Sequence, residues 1–206
     1  MPVFRIAPLC LMLALATGAH AASERFVINA QYRGIVSKNF PDIGSATVES
    51  VETTPGVMRV KASGEASHPQ DAKRRYSTAM DLQVSVTGDS VAVRSNSESA
   101  GAGSESFCAR LRQVVPILAL LRAQPESACA SRTLQLPGGA VRLSSKRAGS
   151  NVELTAHHGT QVVGKFFMSR GDAGLKVDRF RVPTTEANVS LNFVIQGAAP
   201  SERSTD

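Results

Sequence analysis

The chain contains no tryptophan, few other aromatic residues and only three cysteines among its 206 residues. It also lacks a long internal hydrophobic run: the best candidate, Val114 to Leu121, has eight residues and contains Pro116, so it is too short to cross a bilayer. A nucleophile elbow, a phosphate-binding loop and a calcium loop are all missing. These absences argue against a membrane-spanning protein and leave no motif from which to name a reaction.

The first 21 residues follow the pattern of a secretory signal peptide. Arg5 precedes the apolar run Leu9 to Ala16, and Ala19-His20-Ala21 supplies an A-x-A cleavage site. We expect cleavage after Ala21, which would leave 185 residues, enough for one domain with a hydrophobic core. The alanine- and arginine-rich composition is typical of bacteria, so the sequence predicts a periplasmic protein.

Two cysteines, Cys108 and Cys129, would remain in the mature chain, because Cys10 lies inside the signal peptide. An oxidising compartment favours a bond between them, and only one pairing is possible. We therefore predict a structural disulfide. A redox pair is the alternative, although the two cysteines of such a pair usually lie two residues apart.

One amphipathic helix is predicted at residues 105–123. Its apolar positions recur at steps of three and four along the chain: Phe107, Leu111, Val114, Val115, Leu118 and Leu121. Ser104 occupies the expected N-cap position, and Pro125 should end the helix. Pro116 removes one internal hydrogen bond, so a bend of the helix axis is expected near Arg112.

The rest of the chain alternates apolar and polar residues with a period of two, which predicts about eleven short strands. Five precede the helix and six follow it. We expect a mainly β fold: an antiparallel, strongly curved sheet or incomplete β-barrel with the helix packed in its concavity. The domain would span residues 22–196, with a flexible connector at 96–104, an irregular segment at 63–76 and a disordered tail at 197–206.

This expected plan resembles that of periplasmic lipoprotein carriers, which are half-barrels with helices as a lid. The likeness is one of architecture, and no residue motif carries it. Those carriers place a helix near the mature N-terminus, whereas this chain starts with a strand. No family membership is inferred from this resemblance, and no functional residue is transferred from it.

Adaptable apolar side chains could line a lipid-sized pocket in such a concavity. The candidates are the methionines and the apolar residues of the helix and of one central strand: Met58, Met80, Ile117, Leu118, Leu121, Phe166 and Met168. Each of them could equally belong to the core.

The mature chain carries 22 Lys and Arg against 17 Asp and Glu, a net charge of +5. The densest basic run, Lys73-Arg74-Arg75, is the best candidate for an anion site, with a solvated loop as the alternative. Anionic amphiphiles and acidic protein surfaces are possible partners. Nucleic acid is not expected, because the compartment is wrong and no recognisable nucleic-acid fold is present.

The search for catalytic or metal-binding residues is mostly negative. Glu153, Thr155 and His157 share one face of a predicted strand and could form an acid and base pair or half a metal site, or simply a polar solvent face. No metal-binding histidine spacing is present. We expect no cofactor, no metal and no catalytic activity.

Three functions stay open on the sequence. The first is a periplasmic carrier for an apolar ligand such as a lipid. The second is an envelope protein-interaction module (an assembly factor, adaptor or inhibitor) without a ligand cavity. The third is an enzyme whose site is assembled from residues distant in sequence.

Overall fold

The computed structural model describes residues 21–32, 41–68, 71–87, 90–128, 131–136, 138–172, 174–184 and 189–196. These residues form two helices and eleven strands. The helices are α1 (Glu105–Ala123) and the short α2 (Pro125–Ala128). The strands are β1 (Ala21–Tyr32), β2 (Asp42–Thr54), β3 (Val57–His68), β4 (Asp71–Thr87), β5 (Ser90–Ala100), β6 (Arg132–Leu136), β7 (Gly139–Ala148), β8 (Asn151–His158), β9 (Gln161–Gly171), β10 (Gly174–Pro183) and β11 (Val189–Ile195).

All eleven strands belong to one antiparallel sheet in the order β5-β4-β3-β2-β1-β11-β10-β9-β8-β7-β6. The sheet is nearly closed into a barrel, with one unsealed seam between its edge strands, β5 and β6. The predicted fold class is confirmed. The first strand pairs with the last, from Phe26 opposite Ile195 to Tyr32 opposite Val189, and this pairing joins two meanders of neighbouring strands.

The helix lies in the concavity of the sheet and is buried on every side along its second half. Each residue from Val114 to Leu121 is buried, including Pro116. A helix that is apolar all round needs packing partners all round, which a curved sheet supplies. Its bounds, residues 105–123, match the prediction, and the helix continues without interruption through Pro116.

A glycine in β9 allows the helix to approach this strand closely. Gly164 is buried, and a Cβ atom at this position would lie 3.0 Å from Cγ2 of Val114. The helix and β9 could not lie this close together around a larger side chain unless one of them shifted. Three arginines also fasten the helix: Arg112 pairs with Glu98 of β5, Arg122 pairs with Glu24 of β1, and Arg110 donates a hydrogen bond to the carbonyl of Pro183.

Two segments predicted to be irregular are strands. The predicted irregular stretch 63–76 contains the end of β3 and the start of β4, which pair with each other from Ser63 opposite Ala79 to His68 opposite Asp71. Most of the predicted flexible connector belongs to β5, where Ala100 lies opposite Thr78. Small polar residues have weak β propensity, but hydrogen bonding to a neighbouring strand overrides it here. The predicted disordered tail, 197–206, lies outside the described residues.

Ser104 begins the helix, but its side chain does not cap it. Its backbone carbonyl accepts the first helical hydrogen bond from the Cys108 N–H, at 2.8 Å. The fully buried hydroxyl instead accepts a hydrogen bond from the Ser77 backbone N–H of β4, at 3.2 Å, and donates one to the Arg75 carbonyl, at 3.5 Å. The side chain therefore fixes the start of the helix to the sheet.

Replacing Ser104 with alanine should lower the free energy of unfolding by about 1–3 kcal/mol, because the Ser77 N–H loses its acceptor. Ser106→Ala is the matched control, since Ser106 is exposed in the same helical turn. It should leave the stability unchanged or slightly raise it. Chemical denaturation of both variants measures the difference; equal stabilities would mean that the Ser104 hydroxyl does not hold the helix to β4.

Candidate functional site

The seven residues predicted to line an apolar ligand site are all buried in the hydrophobic core, each with at most 6% of its surface exposed. Met58 and Met80 lie on β3 and β4, Phe166 and Met168 lie on β9, and the others lie on the helix. They fill the space between the sheet and the helix. Their predicted role as ligand contacts stays a prediction.

An apolar cleft lies between the helix and the concave face of β2, β3 and β4, and none of the seven residues lines it. Small residues form its floor: Ala46, Ala62, Gly64 and Ala66. Aromatic residues form its walls: Tyr76, Phe107, Phe180 and Phe193. The cleft volume is about 30 Å³. A water molecule fits such a volume, whereas pockets for larger ligands span roughly 300–1,000 Å³.

The aromatic walls are themselves tightly packed. Phe180 and Phe193 stack with their ring centroids 4.5 Å apart. The ring centroids of Phe107 and Tyr76 are 5.2 Å apart. The same cluster connects the helix to β4, β10 and β11. A bulky ligand could enter only if the helix moved away from the sheet.

The basic run predicted as an anion site is exposed at the start of β4. Arg74 has the same parity as the buried Tyr76, whereas Lys73 and Arg75 have the opposite parity, so the three side chains do not share one face of the strand. The Lys73 N–H donates a hydrogen bond to the Asp71 carboxylate, at 3.0 Å. Their predicted anion binding stays a prediction.

Glu153, Thr155 and His157 do share the outer face of β8, because Val152, Leu154 and Ala156 between them are buried. The Glu153 carboxylate accepts a hydrogen bond from the Lys165 amino group, at 2.6 Å. The carboxylate is thus engaged by a lysine. Within the described residues, no group of three His, Cys, Asp or Glu side chains could hold a metal ion.

The Cys108 thiol is free and buried, and it accepts a hydrogen bond from the Thr78 hydroxyl, at 3.2 Å. Cys129, its predicted partner, lies outside the described residues. The structure does not show the predicted disulfide, which stays a prediction.

Two acidic residues in strands, Asp81 and Asp178, have side-chain partners in the structure. Asp178 accepts a hydrogen bond from the Ser169 hydroxyl, at 3.0 Å. Asp81 forms a two-pronged ion pair with Arg59 on the neighbouring strand, and the Asn96 amide also donates to it. The hydrogen bonds from Arg59, together with that from Asn96, lower the pKa of Asp81 to about 2.

The outer face of β9 and β10 carries a cationic cluster that the sequence interpretation missed. The guanidinium carbon of Arg179 lies 4.2 Å from the ring centroid of Phe167, and that of Arg181 lies 5.3 Å from it. We call these three residues the arginine–phenylalanine cluster. Alternation with the buried Phe180 and Val182 indicates that both arginines face outward, but it does not indicate what lies beside them.

Replacing Asp81 with asparagine should lower the melting temperature at pH 7 but not at pH 2. The folded-state pKa is below the unfolded one, so ionised Asp81 stabilises the fold above about pH 4, and this stabilisation is lost as the pH falls towards 2. The effect should be small, because the pair lies at the surface. Thermal melts at both pH values test this prediction, with Glu65→Gln as an exposed control. If Asp81→Asn lowers the melting temperature as much at pH 2 as at pH 7, the effect does not come from the charge of Asp81.

Comparison with known proteins does not identify the chain: no family model and no curated protein matches its sequence. No helix among the described residues is both long and apolar enough to cross a membrane. The function proposed below therefore rests on the geometry of the described residues.

Proposed function

We propose that this protein is a noncatalytic interaction module of the bacterial envelope that binds a partner protein through its outer surface. The observation that carries the proposal is the filled interior: the helix occupies the concavity, and the cleft beside it measures only about 30 Å³. A protein whose interior is filled with its own side chains binds through its exterior. The exterior offers polar strand faces and the arginine–phenylalanine cluster.

The proposal that the module is noncatalytic rests on the pairing of its carboxylates. Glu153, the best candidate for a general base, is bonded to Lys165, and Asp81 is bonded to Arg59. The ion pair with Arg59 lowers the pKa of Asp81 to about 2, so this carboxylate is a weak proton acceptor at neutral pH. The Glu153 carboxylate already accepts a hydrogen bond from the Lys165 amino group. This favours a structural role for both residues.

A carrier for an apolar ligand is the second candidate, and the apolar cleft favours it. Its lining is apolar, and its floor consists of small residues. If the helix were displaced, the cleft could widen enough to hold a larger ligand. The three arginine contacts of the helix and the Ser104 bond to β4 oppose such a displacement.

We also propose that the chain is exported, cleaved after Ala21 and active in the periplasm. Cleavage there would leave intact every β1 residue that pairs with β11, from Phe26 to Tyr32. The disulfide between Cys108 and Cys129 belongs to the same proposal, since export would expose both thiols to an oxidising environment.

Native mass spectrometry of protein purified from the periplasm tests the proposed function. We expect the mass of the protein without a small-molecule adduct, together with a co-purifying envelope protein. Organic extraction of the same sample should release no lipid. A stoichiometric lipid adduct would instead support the carrier and overturn the module.

The cleft offers a matched pair of variants to interpret any adduct. Ala62→Val fills the floor of the cleft, whereas Ala79→Val places the same side chain on the outer face of β4. An adduct held in the cleft should be reduced by the first change and retained by the second. Thermal melts of both variants check that the fold is unchanged.

The disulfide is tested separately by intact-mass analysis of the periplasmic protein with an alkylating reagent. Without reductant and under denaturing conditions, we expect no alkylation and a mass two hydrogen atoms below that of the reduced chain; after reduction, both cysteines should react. The same mass shows whether residues 1–21 have been removed. Two alkylated cysteines without reductant would refute the bond.

A further inference from the structure

Two arginines on the outer face of β10 are held together without an acidic partner. Arg179 lies opposite Phe167 of β9 and Val194 of β11, while Arg181 lies opposite Lys165 and Asn192. The bulge after Val177 sets this register, so that both guanidinium groups face the ring of Phe167. Cation–π contact draws each positive charge towards the same ring.

Burial lowers the pKa of both guanidinium groups, and in Arg181 the neighbouring Arg179 lowers it as well. The carboxylates of Asp178 and Glu153 act in the opposite direction on Arg179, and that of Glu153 does so on Arg181. Arginine remains charged at neutral pH despite such shifts. The fold therefore holds two like charges close together and partly withdrawn from water.

The nearby acids are already engaged elsewhere. Glu153 binds Lys165, and Asp178 accepts the Ser169 hydroxyl. Among the residues that the structure describes, no carboxylate forms an ion pair with Arg179 or Arg181. The Nε atoms of both arginines are buried and lack a hydrogen-bond acceptor.

A second unpartnered group lies beside the cluster. Asn192 is 3% exposed although its strand position faces outward, and its Oδ1 atom has no hydrogen-bond partner. It stands directly opposite Arg181 in the sheet. Buried polar groups are normally satisfied, so this unpartnered oxygen beside two unpaired guanidinium groups leaves the outer face of β10 and β11 rich in unmet polar contacts.

The chemistry of that molecule follows from the cluster. A carboxylate accepts two parallel hydrogen bonds from a guanidinium group. These bonds offset the free-energy cost of partly burying the guanidinium group. The two arginines are two residues apart on a strand, so their backbone positions are about 7 Å apart. Alternate residues of an extended acidic segment have the same spacing. Arginine and aromatic residues are also the side chains that contribute most often to binding at protein interfaces.

We propose that the arginine–phenylalanine cluster binds two alternate carboxylate side chains of an extended segment in a partner protein. This inference rests on the proposed interaction function and names its contact surface.

The test measures binding of a fluorescent peptide with alternating glutamate and serine residues, by anisotropy at low ionic strength. The double variant Arg179→Gln/Arg181→Gln should weaken binding by about tenfold or more, because it removes both charged hydrogen-bond donors. Arg142→Gln/Arg147→Gln removes the same charge from exposed positions on β7. This control should change the affinity by less than about twofold, because exposed, separated charges contribute little. Equal losses in the two double variants would refute the proposal in favour of general charge attraction.

Three further measurements define the site. A peptide of the same composition with its glutamates in adjacent pairs should bind more weakly, because its carboxylates do not match the spacing of the arginines. Arg179→Lys/Arg181→Lys keeps the charge but loses the two-pronged geometry, so it should also weaken binding. Its melting temperature should remain near that of the unchanged protein, which excludes unfolding as the cause.

Vesicles containing phosphatidylglycerol test the competing ligand class. If the glutamine double variant loses vesicle binding while peptide binding is unaffected, the cluster recognises lipid phosphate and the proposal is wrong. Failure of the broader function has a different signature: a lipid adduct in native mass spectrometry overturns the interaction module, whether or not the peptide binds. Loss of peptide selectivity overturns only the contact surface.

Discussion

The concave face of a curved, eleven-stranded sheet must be covered, and a single helix covers it. Every strand contributes apolar side chains to one face, and these need a partner because exposed apolar surface of this extent is unfavourable in water. The helix meets this need from within the barrel, which explains why its second half is buried on all sides. The pairing of β1 with β11 joins the two meanders into one sheet around the helix.

Filling the barrel with a helix has a consequence for function. A half-barrel with an empty concavity can hold a lipid, whereas here phenylalanine, leucine and methionine side chains occupy that volume. On the opposite face of the sheet, the Nε atoms of Arg179 and Arg181 and the Oδ1 atom of Asn192 are buried without a hydrogen-bond partner among the described residues. These unsatisfied polar groups favour binding of another molecule at the outer face.

Much of the fold could be predicted from local pattern. The helix and its bounds follow from apolar spacing between Ser104 and Pro125, and the strand number follows from alternation and turn residues. Two segments that were predicted to be irregular, 63–76 and 96–100, contain strand residues instead. In those segments pairing with a neighbouring strand, which no local pattern displays, determines the conformation.

The sequence by itself determined which residues face the core and which face solvent, because a period of two in strands and of 3.6 in the helix is a local property of the backbone. Only the tertiary structure decided which strands are neighbours, and hence that Phe167 lies beside Arg179 and Arg181 and that the helix fills the cavity once expected for a ligand. Strand order and bulges bring together residues distant in the chain, so the contacts that they create have no signal in the local sequence.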